Sequence, residues 1–276
     1  MGSNIDKDTV AGFGFEWERF DQSELAASER DDLFAQYFEI FPWESLPSQA
    51  EGFDLGCGSG RWAKCVAPRV GRLHCIDASG RALSVARKNL ATLPNCVFHE
   101  ASVENIPLGH ESMDFGYSLG VLHHVPDTLA GIRSCVSRLK KGAPFLLYLY
   151  YAFDNRPLWF RLLWKGSDLL RRGISRSPHG LRYAISQAIA AFIYFPLAQV
   201  ARLAEKARMG VGGFPLSYYR GLSFYTMRTD ALDRFGTKVE HRFTARQIRE
   251  MMAEAGLERI SMRDGEPFWC ACGFKK

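Results

Sequence analysis

No Cys-x-x-Cys pair occurs among the seven cysteines (Cys57, Cys65, Cys75, Cys96, Cys135, Cys270 and Cys272), and their number is odd. That pattern speaks against a zinc site and a disulfide framework, and predicts reduced thiols packed in the core of a cytosolic protein. No basic stretch followed by an apolar run stands at the start, MGSNIDKDTV, so no secretory leader is expected there. Gly2 does not make a myristoylation signal, because that motif needs Ser or Thr where Asp6 stands. Internal repeats and low-complexity tracts are missing too. With 47% hydrophobic and 24% charged residues over 276 positions, collagen-like and disordered classes are excluded. The length suits one large domain, or one domain carrying a long insertion.

What is present begins with aromatic residues. Over 1–50, "FGFEWERF" and "LFAQYFEIFPWESLP" are acidic and aromatic, and Phe34, Tyr37, Phe38 and Phe41 recur at helical spacing until Pro42. From 51 the pattern alternates. "EGFDLGCGSG" predicts a buried strand opening into a glycine-rich turn, "RLHCIDAS" a second strand ending in an acid, and "CVFHEAS" a third. "MDFGYSLGVLHHV" and "PFLLYLYY" follow as the fourth and fifth, with helices after the first, second and fourth. Strands alternating with helices of this length predict a doubly wound α/β fold with a mostly parallel sheet. The alternation breaks over 151–240 and resumes with "FTARQIREMMAEAG", where Thr244 is an N-cap and Gly256 a C-cap, before the short strands "LERISM" and "FWCACGF".

The first strand-to-helix turn carries glycines at 56, 58 and 60, a G-x-G-x-G rather than the dinucleotide-binding G-x-G-x-x-G, since Arg61 stands where the third glycine would be. A P-loop is excluded because no Gly-Lys-Ser/Thr follows. Glycines let a ligand approach the backbone, and the next helix offers unpaired N–H groups. Asp77, ending the second strand, is placed to accept both ribose hydroxyls of an adenosine ligand. Asp54, inside the first strand, suits a cationic ligand better than a pyrophosphate.

"FDLGCGSG" at 53–60, Asp77 in "CIDAS", "ASVENIPL" at 101–108 and "LGVLHHV" at 119–125 resemble, in order and spacing, the motifs of class I S-adenosylmethionine-dependent methyltransferases, and "FTARQIREMMAEAGLERI" resembles the segment leading to that fold's last strands. The resemblance covers 51–150 and 241–276. It implies a seven-stranded sheet, S-adenosylmethionine as cofactor and four regions: an N-terminal helical cap (1–50), the cofactor-binding core (51–150), a helical, basic, acceptor-binding insertion after the fifth strand (151–240) and the closing helix and strands (241–276). It further implies that Gly56, Cys57, Gly58 and Gly60 line the methionine part of the cofactor. Asp77 would bind the ribose, Ala78, Ser102 and Val103 the adenine, and Leu119 and Gly120 the amino-acid end. The family often has Asp where Ser102 stands.

Methyl transfer to a hydroxyl needs alignment, exclusion of water and removal of a proton. His123, His124 and His241 are the candidate bases, with His123 ranked first because the matching position in the family often faces the acceptor, while His124's more often packs against the fold. Trp17 and Phe13 offer flat faces to a sulfonium or adenine. Tyr148, Tyr150 and Tyr151 end the fifth strand at the edge where α/β sheets bind ligands, and with Arg156 are candidates for the acceptor side. No metal is expected.

Charge is uneven. Residues 151–210 hold ten Lys/Arg against three acids, a net of +7 within a chain of +5, which leaves −2 for the remainder. The 19 uncharged residues between Arg182 and Arg202 just reach a bilayer's thickness, but Ser186, Gln187, Gln199 and Pro196 interrupt them and no second span returns the chain. The insertion is thus a lid meeting an anionic acceptor, a membrane-interface element through 183–201, or a lid or homodimer contact with solvated charges. Nucleic acid is not expected. The reading is a cytoplasmic methyltransferase of a small-molecule or glycan-precursor acceptor, by O-methylation. N-methylation, a lipid-linked acceptor and a non-catalytic cofactor-binding sensor are the alternatives.

Overall fold

The computed structural model describes residues 3–276, so Gly2 lies outside the described residues. Two compact units divide the chain. Of the described residues, the first comprises 3–22, 30–152 and 239–276, and the second 23–29 and 153–238. Residues 3–22 and 30–50 fall in the unit that holds the sheet.

The first unit contains a seven-stranded sheet: β1 (Glu51–Leu55), β2 (Arg72–Asp77), β3 (Cys96–Glu100), β4 (Phe115–Leu119), β5 (Pro144–Tyr148), β6 (Leu257–Met262) and β7 (Cys270–Lys275). Its order is β3-β2-β1-β4-β5-β7-β6. All pairs among β1–β5 are parallel, and β7 runs antiparallel to both neighbours. β4 is wholly buried, as expected of an apolar run covered on both faces. Strand order reverses between β1 and β4, and in such sheets ligands bind at the carboxyl ends of the strands flanking that point.

The unit's helices are α1 (Lys7–Arg19), most of α2 (Ala27–Tyr37), the short α3 (Ala63–Val66), α4 (Gly80–Asn89), α5 (Thr128–Val136) and α10 (Ala245–Glu254). One core lies between the sheet and α5 and α10, where Phe53, Phe145, Leu147, Ile132, Ile248 and Met252 are buried together. Each such side chain contributes about 1.5–3 kcal/mol by leaving water. Three boundaries differ from the sequence pattern. α2 ends at Tyr37, ahead of Pro42, because Phe38 and Phe41 turn to pack with Trp43 and the β4 side chains Tyr117 and Phe115. β4 stops at Leu119, where Gly120 adopts φ +78°. β5 stops at Tyr148, and Tyr151 instead forms an isolated bridge with Phe243.

The second unit is helical: α6 (Leu158–Ile174), α7 (His179–Ile189), α8 (Phe195–Lys206) and α9 (Phe224–Gly236). A π-turn over Ala190–Tyr194 joins α7 to α8 just before Pro196, whose missing N–H tolerates only the first turn of a helix. Ala190, Tyr194 and Ala198 pack against Met227, Ala231 and Phe235 of α9. Two of the basic residues are structural. Arg171 donates to the Thr237 carbonyl at 2.8 Å and Arg182 to that of Gly236 at 3.0 Å, satisfying carbonyls that the end of α9 leaves open.

Candidate active site

A cleft of about 800 Å³, including its open mouth, lies at the carboxyl ends of β1 and β4. It is lined by Leu55, Gly56, Leu119 and Gly120 at the ends of β1 and β4, by Asp77 and Ala78 at the end of β2, and by Ser102 and Val103 after β3. A further wall comes from the N-terminal segment, through Asn4, Asp6 and α1 residues Thr9, Val10, Phe13 and Trp17.

The glycine turn is organised by the acid. Asp77 accepts from the Gly58 N–H at 2.9 Å through one carboxylate oxygen and from the Ser79 N–H at 2.8 Å through the other. Burial pushes its pKa up, and N–H bonds from Ser79, Gly58 and Ala78 pull it back. Each oxygen keeps a further lone pair for a ligand hydroxyl. Gly58, at φ +54°, has Trp17 so near that a Cβ would lie 2.8 Å from the indole. Gly120 is at φ +78° with nothing within 4 Å of where a Cβ would stand, so its bare backbone leaves open space at the cleft.

The N-terminal wall is pinned by short-side-chain chemistry. Asn4 and Asp127 bond reciprocally: the Asn4 amide donates to the Asp127 carbonyl at 2.9 Å, and the Asp127 N–H donates back at 2.7 Å. Glu104 accepts from the Asn4 N–H at 2.6 Å and the Ser3 hydroxyl at 2.9 Å. Asp6 caps α1 by accepting from the Thr9 N–H at 2.7 Å. The aromatic run singled out Trp17 and Phe13. Asn4, Asp6, Thr9 and Val10 went unread, although an Asp three residues before Thr9 is an N-cap signature.

The two adjacent histidines occupy different surroundings, in the reverse of the expected order. His124 lines the cleft, its ring 5.0 Å from that of Phe13. Its Nδ1 is 2.7 Å from the Val239 carbonyl oxygen. A carbonyl only accepts, so Nδ1 carries a proton, and in the neutral ring the lone pair is at Nε2. His123 is completely buried, stacked on Tyr150 at 3.8 Å, and neither ring nitrogen has a hydrogen-bond partner. Desolvation, with His124, Arg242 and His241 nearby, holds its pKa well below the usual histidine value. It is a neutral packing residue, and the expectation that it faces the acceptor is corrected. The turn over Leu122–His124 causes the swap, since a 3₁₀ turn sends successive side chains in different directions. His241 is exposed, its backbone N–H donating to the His123 carbonyl at 2.9 Å.

Other candidates fall outside the cleft. Asp54 is buried beneath the turn, where desolvation foremost, opposed by the Tyr117 hydroxyl and reinforced by Asp77, raises its pKa well above the carboxylate range. Its carboxyl does not line the cleft. Cys57, Gly58 and Gly60 shape the turn without lining the cleft. The Cys75 sulfhydryl favours the Cys57 thiolate, but burial together with the nearby Asp77 and Asp54 outweighs it and pushes the Cys57 pKa to about 11. Tyr148 and Tyr150 belong to an aromatic group with Tyr37 and His123, while Tyr151 meets Phe268 and Trp269. Arg242, unsingled by the sequence, is ion-paired with Glu240 at 2.8 Å and lies 5.0 Å over the Tyr150 ring. Arg156 is in the second unit, where it donates to the Gly212 carbonyl. Among the described residues no group of three or more His, Cys, Asp or Glu side chains is arranged to hold a metal ion.

Residues 53–147 match the model of a methyltransferase domain. The ubiquinone biosynthesis O-methyltransferase of Xanthomonas campestris pv. campestris is 28% identical over 188 residues, 67% of this chain and 74% of that one. An O-methyltransferase family protein from Burkholderia thailandensis superposes with a TM-score of 0.55 at 14% identity, over 94% of this chain and 59% of that one. A Haemonchus contortus phosphoethanolamine N-methyltransferase, solved with S-adenosylhomocysteine, gives 0.51 at 14% identity, over 92% and 43%. The fold and the domain match together define a class I S-adenosylmethionine-dependent methyltransferase. The chain is such an enzyme, with S-adenosylmethionine as its cofactor.

Proposed function

We propose that the chain methylates a hydroxyl of a small-molecule acceptor, with His124 as the base. The observation that carries this reading is the His124 Nδ1–Val239 carbonyl contact, which leaves Nε2 as the basic nitrogen of a residue lining the cleft. The relatives named O-methyltransferase support the same chemistry.

The cofactor supplies a methyl group already activated on a sulfonium, so the protein's work is alignment, exclusion of water and proton removal. Its residues fit that cofactor: Asp77 offers open lone pairs to a ribose diol, Ala78, Ser102 and Val103 form an adenine slot, and the Cβ-free backbone at Gly120 makes room for the amino-acid end. α1 walls the cleft against water through Phe13 and Trp17. His124 Nε2 takes the acceptor's hydroxyl proton while Val239 holds the imidazole in the productive tautomer. Arg242 and Glu240, lying behind His123, complete the polar surroundings of the histidine pair.

The test is an acceptor screen with methyl-labelled cofactor, covering phenols, isoprenoid-linked and nucleotide sugars, hydroxy acids and amines, with products mapped by mass spectrometry. Label on oxygen in a product lost by His124→Gln supports the reading. Label confined to nitrogen would replace it by N-methylation, and cofactor binding without any transfer would make the chain a sensor.

A further inference from the structure

Among the described residues, every exposed large hydrophobic side chain falls between 158 and 224, in the second unit. The first unit, with its own extensive surface, has none. On α6 the outward residues are Leu158, Trp159, Leu162, Leu163, Leu169 and Leu170, each more than half exposed. At about 100° per residue they fall within an arc of roughly 140° that otherwise contains Gly166 and Gly173. One border of this arc is the row Arg161, Lys165 and Arg172, all exposed. Beyond it, Asp168, Arg171 and Trp164 turn inward.

The stretch from α7 through α8 is built inside out. Its inward positions are mostly small, Ser186, Ala190, Ala198 and Ala201, all fully buried, with Arg182 and Tyr194 the large exceptions. Its large residues face solvent: Phe192 at 80%, Leu203 at 65% and Val200 at 50% exposure, with Pro196 between them completing a stripe at helical spacing. The most apolar 18-residue window of His179–Lys206 is only 28% buried. A core helix of a water-soluble unit would show the opposite arrangement.

We infer that the second unit docks on the surface of an anionic lipid bilayer, with α6 lying in the interface plane and the outward stripe of α8 adding to the contact. The charges select the occupant. Asp168 is committed to Arg171 and Arg172, and Glu205 to Arg220, whereas Arg161, Lys165, Arg202, Lys206 and Arg208 face no described carboxylate. An apolar face rimmed by uncompensated cations matches acyl chains beneath anionic headgroups, with Lys and Arg stems reaching up to the phosphates. A second copy of the chain would bring its own +7 against the first and is disfavoured by that repulsion. The helices lie on the bilayer and do not cross it, because the inner face of α7–α8 is occupied by Met227, Ala231 and Phe235.

The experiment is co-sedimentation of the full chain with phosphatidylglycerol–phosphatidylcholine vesicles and with phosphatidylcholine vesicles, at low and high salt. Binding to the anionic vesicles that fades with salt is expected. The double variant Leu162→Glu, Leu169→Glu should weaken it at least tenfold with cofactor affinity and helicity unchanged. Arg161→Glu with Lys165→Glu, on the rim and outside any packing, should weaken it about fivefold or more for each residue. A fully soluble wild type with anionic vesicles at low salt would overturn the inference. So would vesicle binding indifferent to both variants, or a salt-resistant dimer in solution that Leu162→Glu dissolves.

Discussion

His123 lies ring over ring on Tyr150, with 3.8 Å between centroids and 29° between planes, and this stack takes it out of the reaction. A fully buried imidazole without a hydrogen-bond partner can neither reach an acceptor nor pass a proton to solvent. Its neighbour His124 lines the cleft, with Nδ1 on the Val239 carbonyl, and is the base in the proposed reaction.

His124→Gln should lower kcat on a hydroxyl acceptor by about 10²–10⁴-fold, the usual worth of a positioned base. Cofactor affinity by calorimetry should stay within about threefold. Raising the pH should restore part of the rate, because the acceptor then ionises unaided. Equal loss of rate and cofactor affinity would show that His124 only supports the fold.

His123 makes stability pH-dependent. Its folded pKa lies well below 6.5, so between the two values the unfolded chain binds a proton that the folded chain does not. The stability is complete above pH 6.5 and falls as pH drops below it, by up to about 1.4 kcal/mol per unit for this group. His123→Phe should keep neutral-pH stability and flatten the acid limb of urea midpoints between pH 7.5 and 5. His99, also lowered by burial and by His74 and Arg87, leaves a residual slope in both proteins. An unchanged acid limb in the variant would refute the assignment.

Gly120 and Gly142 share φ +78° and both have nothing within 4 Å of an added Cβ, but only Gly120 borders the cleft. Alanine at either should cost about 1–2 kcal/mol of stability, from the left-handed backbone. Only Gly120→Ala should also weaken S-adenosylmethionine, tenfold or more by titration calorimetry. Matching affinities in the two variants would separate Gly120 from the cofactor.

Asp77→Ala should weaken the cofactor by at least tenfold, about 1.4 kcal/mol, by removing both the acceptor for a ribose diol and the anchor of the Gly58 N–H. Unaltered affinity would overturn the placement of the cofactor at β2.

The sheet was legible because its signals are local. Strands of buried apolar residues, a glycine turn and an acid at the end of β2 repeat at spacings that parallel pairing imposes, and Gly56, Asp77, Ala78, Ser102, Val103, Leu119 and Gly120 all border the cleft. The histidine order was not legible, because it depends on a turn after β4 and on Tyr150 and Val239, which are remote in sequence. The burial of Asp54 was illegible for a similar reason. A carboxylate beside a turn looks available until the strands around it are known to bury it. The inverted helices of the second unit were visible as an apolar, basic stretch, but which side chains face outward required the packing of α9.

The cleft has walls of unequal permanence. One belongs to the sheet and moves only if the fold does. The other is clipped on at Ser3 and Asn4 by four hydrogen bonds to Glu104 and Asp127. At about 0.5–1.5 kcal/mol each, releasing those four bonds costs far less than unfolding the sheet. Amide exchange over Asn4–Val10 should accordingly run ahead of exchange in β1.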